Sequence, residues 1–237
     1  MKAADLPRSS RTRTARARPA APNRPHPVPK ADEQAPGAAQ LRSLSALRPA
    51  LNECRRCGLW KAATQGVPGT GPASSRIMLV GEAPGDSEDV QGQPFVGPAG
   101  AMLSRALQEA GLERRSVYVT NAVKHFKFEP RGKRRLHVKP GGSEIQACRW
   151  WLEEELRLLE PQGVVALGAT AARALLGRVV TITAMRGKLL QLGEHTRMLV
   201  TIHPSYLLRM TDREAQRAEY RRFVADLSIA ARWVGTH

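Results

Sequence analysis

The chain has 237 residues, of which 42% are hydrophobic, so it can form one or two domains with a buried core. Lysine and arginine outnumber aspartate and glutamate by 37 to 21. The formal net charge of +16 favours a polyanionic binding partner, and nucleic acid is the first candidate. No window approaches the roughly 18 uninterrupted apolar residues of a membrane-spanning helix, and three cysteines cannot all pair with one another. These properties exclude an integral membrane protein and a disulfide scaffold.

Residues 1–40 differ in composition from the rest of the chain. They contain seven prolines and eight basic residues but only three acids, which predicts a disordered basic tail. Such a tail can bind phosphates non-specifically or be an inert leader. A targeting peptide is another interpretation of this composition. A secretory signal would need a continuous apolar stretch, which these residues lack. The tail accounts for +5 of the net charge, so +11 remains on residues 41–237. The folded part is therefore basic as well.

From Leu41 onward, short β-rich apolar runs alternate with longer segments of helical periodicity. This alternation predicts one α/β domain over residues 41–237, a three-layer α/β/α sandwich around a mainly parallel four-stranded sheet. In chain order, the predicted elements are strand Ile77–Val80, helix Pro98–Ala110, strand Val117–Thr120, helix Ser143–Leu159 with Ser143 as its N-cap, strand Val164–Leu167, helix Thr170–Leu176, strand Met198–Ile202 and a helix from about Arg213 to Trp233.

Polar or glycine-rich sequence follows each of the four predicted strands. Glu82, Asn121, Gly168 and His203 each lie directly after a strand or one position beyond it. Any one of them can be explained as a turn or cap residue. Because ligands bind outside the carboxyl ends of the strands in an open parallel sheet, their convergence at one edge predicts a functional site there.

Several motifs at these positions resemble those of a known family, the iron–sulfur family 4 uracil-DNA glycosylases, over nearly all of residues 54–232. They are Gly81-Glu82-Ala83-Pro84-Gly85, Gly92-Gln93-Pro94-Phe95-Val96-Gly97, Thr120-Asn121-Ala122-Val123-Lys124 and His203-Pro204-Ser205. A further pair of segments resembles UdgX, the branch that becomes covalently attached to uracil-containing DNA: Lys124-His125-Phe126-Lys127-Phe128 and Lys133-Arg134-Arg135-Leu136-His137. The resemblance implies a uracil-DNA glycosylase-like fold that acts on uracil in single-stranded DNA or on a flipped base.

The resemblance also implies roles for the pocket residues. Phe95 would stack on the flipped uracil, and Asn121 would both donate to and accept from its Watson–Crick edge, which differs from that of cytosine at position four. His203 would hydrogen-bond the uracil oxygen that gains negative charge as the glycosidic bond breaks. Without the resemblance, Phe95 is equally well a core residue and Asn121 a turn residue.

Four more residues are implied to contact the substrate: Ala83, Asp86, Ser205 and Arg209. Arg209 would lie against the DNA strand, and Asp86 near the active-site water. The plain alternatives are a solvated helix charge for Arg209 and a helix N-cap for Asp86.

The resemblance to UdgX implies that His137 is the nucleophile. The sugar C1′ becomes electron-poor as the bond to uracil stretches, so a neutral nucleophile held nearby captures it. Water would give a free abasic site, whereas imidazole would give a stable His–C1′ bond and a single turnover. Glu82 would accept or orient the imidazole proton.

The basic residues around His137 have a simpler interpretation that the pattern alone favours. Lys133, Arg134 and Arg135 would form a solvated basic hairpin that binds backbone phosphates. The two interpretations are compatible. The sequence departs from the UdgX pattern in two ways: position 83 is alanine in place of glutamine, and the loop before Lys133 is somewhat shorter. A hydrolytic, turning-over glycosylase is therefore the nearest alternative.

The three cysteines predict a metal site. Cys54 and Cys57 form a Cys-x-x-Cys pair, which by itself suits zinc, thiol redox chemistry or an iron–sulfur cluster. The family resemblance implies that His125 and Cys148 complete a [4Fe–4S] site, with histidine in place of the fourth thiolate; Cys₃His zinc is the alternative.

Taken together, these features predict a monomer that is cytoplasmic and nucleoid-associated. We expect it to bind uracil-containing DNA and no membrane. A non-catalytic iron–sulfur DNA-binding protein is the alternative from another class.

Overall fold

The computed structural model describes residues 40–233, so the predicted tail lies outside the described range apart from its last residue. The described part forms strands β1 Ile77–Gly81, β2 Tyr118–Asn121, β3 Phe128–Arg131, β4 Arg134–His137, β5 Gly163–Leu167, β6 Leu189–Leu192 and β7 Thr196–Thr201. Its helices are α1 Leu47–Asn52, α2 Asp86–Gln91, α3 Pro98–Glu109, α4 Gly142–Leu159, α5 Ala169–Leu176, α6 Ile182–Met185, α7 Pro204–Leu208 and α8 Arg213–Ala231. None of these helices is both long and apolar enough to cross a membrane.

The central sheet has five strands in the order β2-β1-β5-β7-β6. The first four are mutually parallel and are the four predicted strands, whereas β6 runs antiparallel to β7 at the edge. The prediction of a mainly parallel sheet is confirmed, but the count of four strands is wrong. Strand β6 has only four residues and its first, Leu189, is half exposed, so it lacks the continuous apolar run that marks the buried strands.

Strand residues alternate between two cores, one on each side of the sheet. Met78 and Val80 of β1 face the core built with α1, α4 and α5, and Ile77 and Leu79 face the core built with α3 and α8. This two-residue period is what a fully buried parallel strand requires. The three-layer α/β/α arrangement predicted from the sequence is confirmed.

The predicted helices agree with the observed ones to within two residues, with one error at the start of α4. Ser143 was expected to cap this helix, but Gly141 is the N-cap and the helix begins at Gly142. A Glu144 side-chain oxygen accepts a hydrogen bond from the Gly141 N–H at 2.6 Å, so a side chain inside the first turn satisfies this donor.

Strands β3 and β4 form a separate antiparallel hairpin that projects from the domain. Gly132, at φ +59°, turns the chain between them, a conformation that L side chains rarely adopt. Phe128 pairs with His137 at the base of the hairpin. The basic segment expected to form a hairpin does so, and the base of the hairpin lies beside the carboxyl edge of the main sheet.

Candidate active site

A cleft of about 1300 Å³ lies at the carboxyl edge of the sheet. Residues after four parallel strands reach it, as predicted, together with the end of the hairpin. The predicted site residues that line the cleft are Glu82, Ala83, Phe95, Asn121, His137, His203, Ser205 and Arg209. Of the residues implied to contact substrate, Asp86 is not among those lining it.

Asn121 and Phe95 form one wall of the cleft. Their side chains can occupy this space because position 81 is glycine and has no side chain. Asn121 ends β2 and pairs with Gly81, and a Cβ at position 81 would lie 2.3 Å from Asn121 Oδ1 and 2.6 Å from the Phe95 ring. Asn121 is buried, and its Nδ2 has no hydrogen-bond partner among the described residues. A buried amide of this kind is completed by a ligand that offers an acceptor.

The Phe95 ring lies in the cleft, and the Phe95 backbone has a left-handed conformation with φ +58°. Its N–H donates to Glu88 Oε1 at 2.9 Å, and the Gly85 N–H donates to Glu88 Oε2 at 3.0 Å. Burial raises the pKa of Glu88, while these backbone donors and the Asn121 side chain oppose that rise. Glu88 therefore holds the turn at Gly85 and the backbone of Phe95 in the wall of the cleft.

His203 is oriented by the turn that follows β7. Its Nδ1 accepts a hydrogen bond from the Ser205 N–H at 3.2 Å and lies 2.7 Å from Ser205 Oγ, to which Arg209 also donates at 3.0 Å. Because Nδ1 is the acceptor, the ring proton is on Nε2. Burial, with smaller contributions from Arg209 and His137, lowers the pKa of His203 to about 4, so the ring is neutral at pH 7.

His137 reaches the cleft from the hairpin and faces Glu82. Its Nε2 lies 3.9 Å from Glu82 Oε1, and the Thr170 hydroxyl donates to the other oxygen of Glu82. The loss of solvent contact lowers the pKa of His137, Glu82 opposes this shift, and Arg209 adds to it. The site thus holds a neutral imidazole next to a carboxylate whose orientation is fixed by Thr170.

Arg135 makes several contacts within the protein. Its Nε donates to Asp86 and its Nη1 to the buried Asp89, both at 2.6 Å, and its guanidinium lies over the rings of Phe126 and Phe128. Two of its three side-chain nitrogens already donate to carboxylates of α2, and phosphate binding by Arg135 stays a prediction. The same contacts explain why Asp86 points away from the cleft.

Lys133 and Arg134 lie at the exposed tip of the hairpin. They are the two basic residues of the predicted phosphate-binding set that remain open to solvent. Lys139, just beyond the hairpin, lines the cleft and adds a third positive charge on the same side.

The three cysteines are free thiols, and they lie close enough together for Cys54 to raise the pKa of Cys57 and for both to raise that of Cys148. Cys54 and Cys148 are buried, and burial, the chief cause, raises the pKa of Cys148 to about 12. Two N–H groups already point at sulfur: Trp151 Nε1 donates to Cys54 Sγ at 3.2 Å and the Lys124 backbone to Cys148 Sγ at 3.1 Å.

His125 is buried nearby, and its Nδ1 has no hydrogen-bond partner in the described part of the chain. Three thiols and one unpartnered imidazole nitrogen fit the donor set of a thiolate-rich metal centre. No three His, Cys, Asp or Glu side chains in the described range converge tightly enough for a single metal ion.

Sequence reasoning missed a buried ion pair beneath Asn121. Lys124 Nζ donates to Glu155 Oε2 and Thr120 Oγ1, both at 2.6 Å, and to the Asn121 carbonyl at 2.8 Å; the Lys124 and Glu155 side chains are fully buried. Glu155 also accepts from the Gly69 N–H at 2.8 Å. The only signal in the sequence was a lysine within the apolar run after β2, and nothing local indicated its partner 31 residues away.

Residues 68–228 match the family described as the uracil DNA glycosylase superfamily. The chain belongs to this superfamily. It is 38% identical over 168 residues to a Type-4 uracil-DNA glycosylase of Thermotoga maritima, an alignment that covers 70% of this chain and 84% of that protein. It is 35% identical over 189 residues to a Type-4 uracil-DNA glycosylase of Pyrobaculum aerophilum, covering 77% and 91%.

A Type-5 uracil-DNA glycosylase of Thermus thermophilus is 40% identical over a shorter stretch of 125 residues, 46% of this chain and 53% of that protein. The uracil-DNA glycosylase-like fold expected from the motifs is confirmed. The likeness to Type-4 proteins agrees with the resemblance found in the motifs around Glu82, Asn121 and His203.

Proposed function

We propose that this protein is a uracil-DNA glycosylase that excises uracil from DNA and becomes covalently linked through His137 to C1′ of the resulting sugar. The observation that carries the proposal is the arrangement around one cleft: a base-reading amide and an aromatic ring, a neutral histidine donor, and a second neutral imidazole beside a carboxylate. The family membership and the Type-4 relatives support the glycosylase part of the proposal.

Base recognition uses Asn121 and Phe95. The unpartnered Asn121 Nδ2 suits uracil O4, and Oδ1 suits the uracil N3–H. The Phe95 ring lies beside them and offers a stacking surface for a base taken out of a duplex or from a single strand. Lys133 and Arg134, at the exposed hairpin tip, would hold phosphates of the same strand.

Bond cleavage leaves the electron pair of the C1′–N1 bond on uracil, and its charge spreads to O2. The Nε2–H of His203 is placed to donate to this oxygen, because Nδ1 is already an acceptor from Ser205. The depressed pKa keeps His203 neutral, and the N–H of a neutral imidazole is too weak an acid to give up its proton to the uracil anion, so the ring stabilises the anion by hydrogen bonding.

Capture of the sugar then follows from the position of His137. A lone pair of the neutral imidazole forms the bond to the electron-poor C1′, and the proton on the other ring nitrogen leaves to Glu82 or to solvent. Glu82 is 3.9 Å from Nε2 and is held by Thr170, so it can accept this proton after a small movement. The product keeps no hydroxyl at C1′ and cannot open, which ends turnover at one.

A [4Fe–4S] cluster held by Cys54, Cys57, Cys148 and His125 belongs to the same proposal. It would supply a structural cross-link and no chemistry at the base, because its ligands lie outside the cleft. Trp151 and the Lys124 backbone would donate to its thiolates.

A hydrolytic enzyme is the second candidate, and Ala83 in the cleft wall, together with the Type-4 relatives, favours it. A denaturing gel with a uracil-containing oligonucleotide distinguishes the two. We expect a shifted protein–DNA band that survives boiling in detergent and disappears in H137S. Alkali-labile abasic DNA with no shifted band would instead establish hydrolysis, and a matched oligonucleotide with thymine in place of uracil controls for non-specific cross-linking.

A further inference from the structure

The main chain at Asn121 is held by a fully buried ion pair that the proposed reaction does not use. Lys124 Nζ and Glu155 Oε2 lie 2.6 Å apart, and neither side chain is exposed to solvent. Lys124 also reaches back three residues to donate to the Asn121 carbonyl at 2.8 Å. Buried ionised groups lose their hydration, so replacing such a pair with apolar side chains often costs a protein no stability. Stability alone therefore does not account for this pair.

The peptide group after Asn121 is held at both of its polar atoms. Its carbonyl accepts from Lys124, and its N–H, which is that of Ala122, donates to the Gly81 carbonyl at 2.9 Å. The amide at the end of the Asn121 side chain is held less firmly, because Nδ2 has no hydrogen-bond partner among the described residues. The direction in which this amide points therefore depends on the main chain that carries it.

Lys124 can hold this peptide because Glu155 is itself anchored. Glu155 Oε1 accepts from the Gly69 N–H at 2.8 Å and from the Tyr118 hydroxyl at 3.3 Å. Its Oε2 accepts from the Thr120 hydroxyl at 2.8 Å, and the oxygen of this hydroxyl accepts from Lys124 Nζ at 2.6 Å. The ammonium group is thus fixed between helix α4 and the end of strand β2.

We propose that the ion pair of Lys124 and Glu155 positions Asn121 for base recognition. It fixes the main chain at the end of β2 so that the Asn121 amide meets the Watson–Crick edge of uracil, whose O4 and N3–H differ from the amino group and N3 acceptor of cytosine. Lys124 and Glu155 act through Asn121 and are positioning residues, not catalytic ones. The inference rests on the function proposed above.

The test is the double substitution K124M/E155Q, which keeps the approximate length of both side chains. It removes both charges together, so that neither is left buried without its partner. Binding is measured to two oligonucleotides that carry 2′-fluoro-2′-deoxyuridine or 2′-fluoro-2′-deoxycytidine at the same position. The fluorine withdraws electrons from C1′ and so slows cleavage, which makes the ratio of the two Kd values a measure of base recognition without chemistry.

We expect the wild type to bind the uracil strand more tightly and K124M/E155Q to reduce this preference about tenfold, with little change in affinity for the cytosine strand. L107A is the control for lost stability, since Leu107 is fully buried in the other core, on α3. It should melt lower than the wild type and keep the wild-type preference. Equal losses of affinity for both strands, or an unchanged preference in K124M/E155Q, would overturn the inference.

A double-mutant cycle with N121A shows whether the ion pair acts through Asn121. N121A should itself lower the preference, and adding K124M/E155Q to it should lower the preference no further. A further loss would mean that the ion pair acts on another part of the pocket, and the inference would be wrong.

Two outcomes remain. If K124M/E155Q does not fold, E155Q removes the carboxylate charge and leaves Lys124 in place; a reduced preference then supports the inference and an unchanged one refutes it. A wild-type protein that binds both strands equally would refute the proposed recognition of uracil itself, a result that the variants cannot produce.

Discussion

In the proposed mechanism, capture of the sugar depends on the protonation state of the His137 ring. The pKa of His137 is lowered, chiefly by loss of solvent contact, so the ring is neutral at and above pH 7. A protonated ring has no lone pair for C1′. Capture should therefore be fully present at neutral pH and be lost as the pH falls through the depressed pKa.

This argument gives a pH prediction. Single-turnover adduct formation should be independent of pH above about 6.5, the ordinary histidine value, and should fall only at lower pH. Uracil release by H137S should not share this fall, because its nucleophile is water. Quenched time courses on gels between pH 4.5 and 8 measure both rates. An adduct rate that already falls as the pH is lowered from 8 to 7 would contradict the assignment of a depressed pKa.

At the scale of elements, the hairpin β3–β4 is fastened to α2 by Arg135. Its two ion pairs join the strand that carries His137 to Asp86 and to the fully buried Asp89. Asp89 also accepts from the N–H and the hydroxyl of Thr64, so it is a shared anchor for two segments. The position of His137 thus depends on a contact made two residues earlier on the same strand.

Replacing Arg135 with methionine should detach the hairpin. We expect R135M to slow adduct formation at least tenfold while uracil release falls less, because the base pocket itself is untouched. The loss of the partner of Asp89 should lower the free energy of unfolding by about 2 to 3 kcal/mol, less than for a fully buried pair, since a quarter of the Arg135 side chain is exposed. Urea melts measure stability, and R131M, at an exposed position on the paired strand β3, is the control. Equal losses of adduct and of uracil release would contradict a role confined to the hairpin.

At the scale of the whole molecule, the cysteine site joins parts of the chain that the sheet does not connect directly. Cys54 follows α1, His125 follows β2, and Cys148 lies within α4. A cluster at this site would fix the N-terminal segment against the α4 side of the domain.

The purified protein should be coloured, with broad absorbance near roughly 400 nm and roughly four iron atoms per chain. C148S should lose the absorbance, whereas H125C, which supplies a fourth thiolate, should keep it. Metal analysis that finds one zinc and a colourless protein would refute the cluster, and the melting temperature of C148S measures how much the centre contributes to stability.

The sequence predicted the parallel strands and the candidate site well because both follow from local pattern. Buried parallel strands are continuous apolar runs, and the residues after them meet at one edge, so Glu82, Asn121 and His203 could be placed together without coordinates. What escaped depends on contacts between distant residues. Strand β6 is marked only by its pairing with β7, and Glu155 and Asp89 reveal their functions only through Lys124 and Arg135.

The two faces of strand β4 have a consequence for how such enzymes change. Arg135 and His137 lie on the same face, both against Phe126, whereas Leu136 between them points the other way. A one-residue slip of this strand would present leucine to the sugar in place of imidazole. If the proposed capture by His137 is right, conversion between a reusable enzyme and one that is consumed by its first substrate would need no new pocket, only a shift of one short strand by one residue.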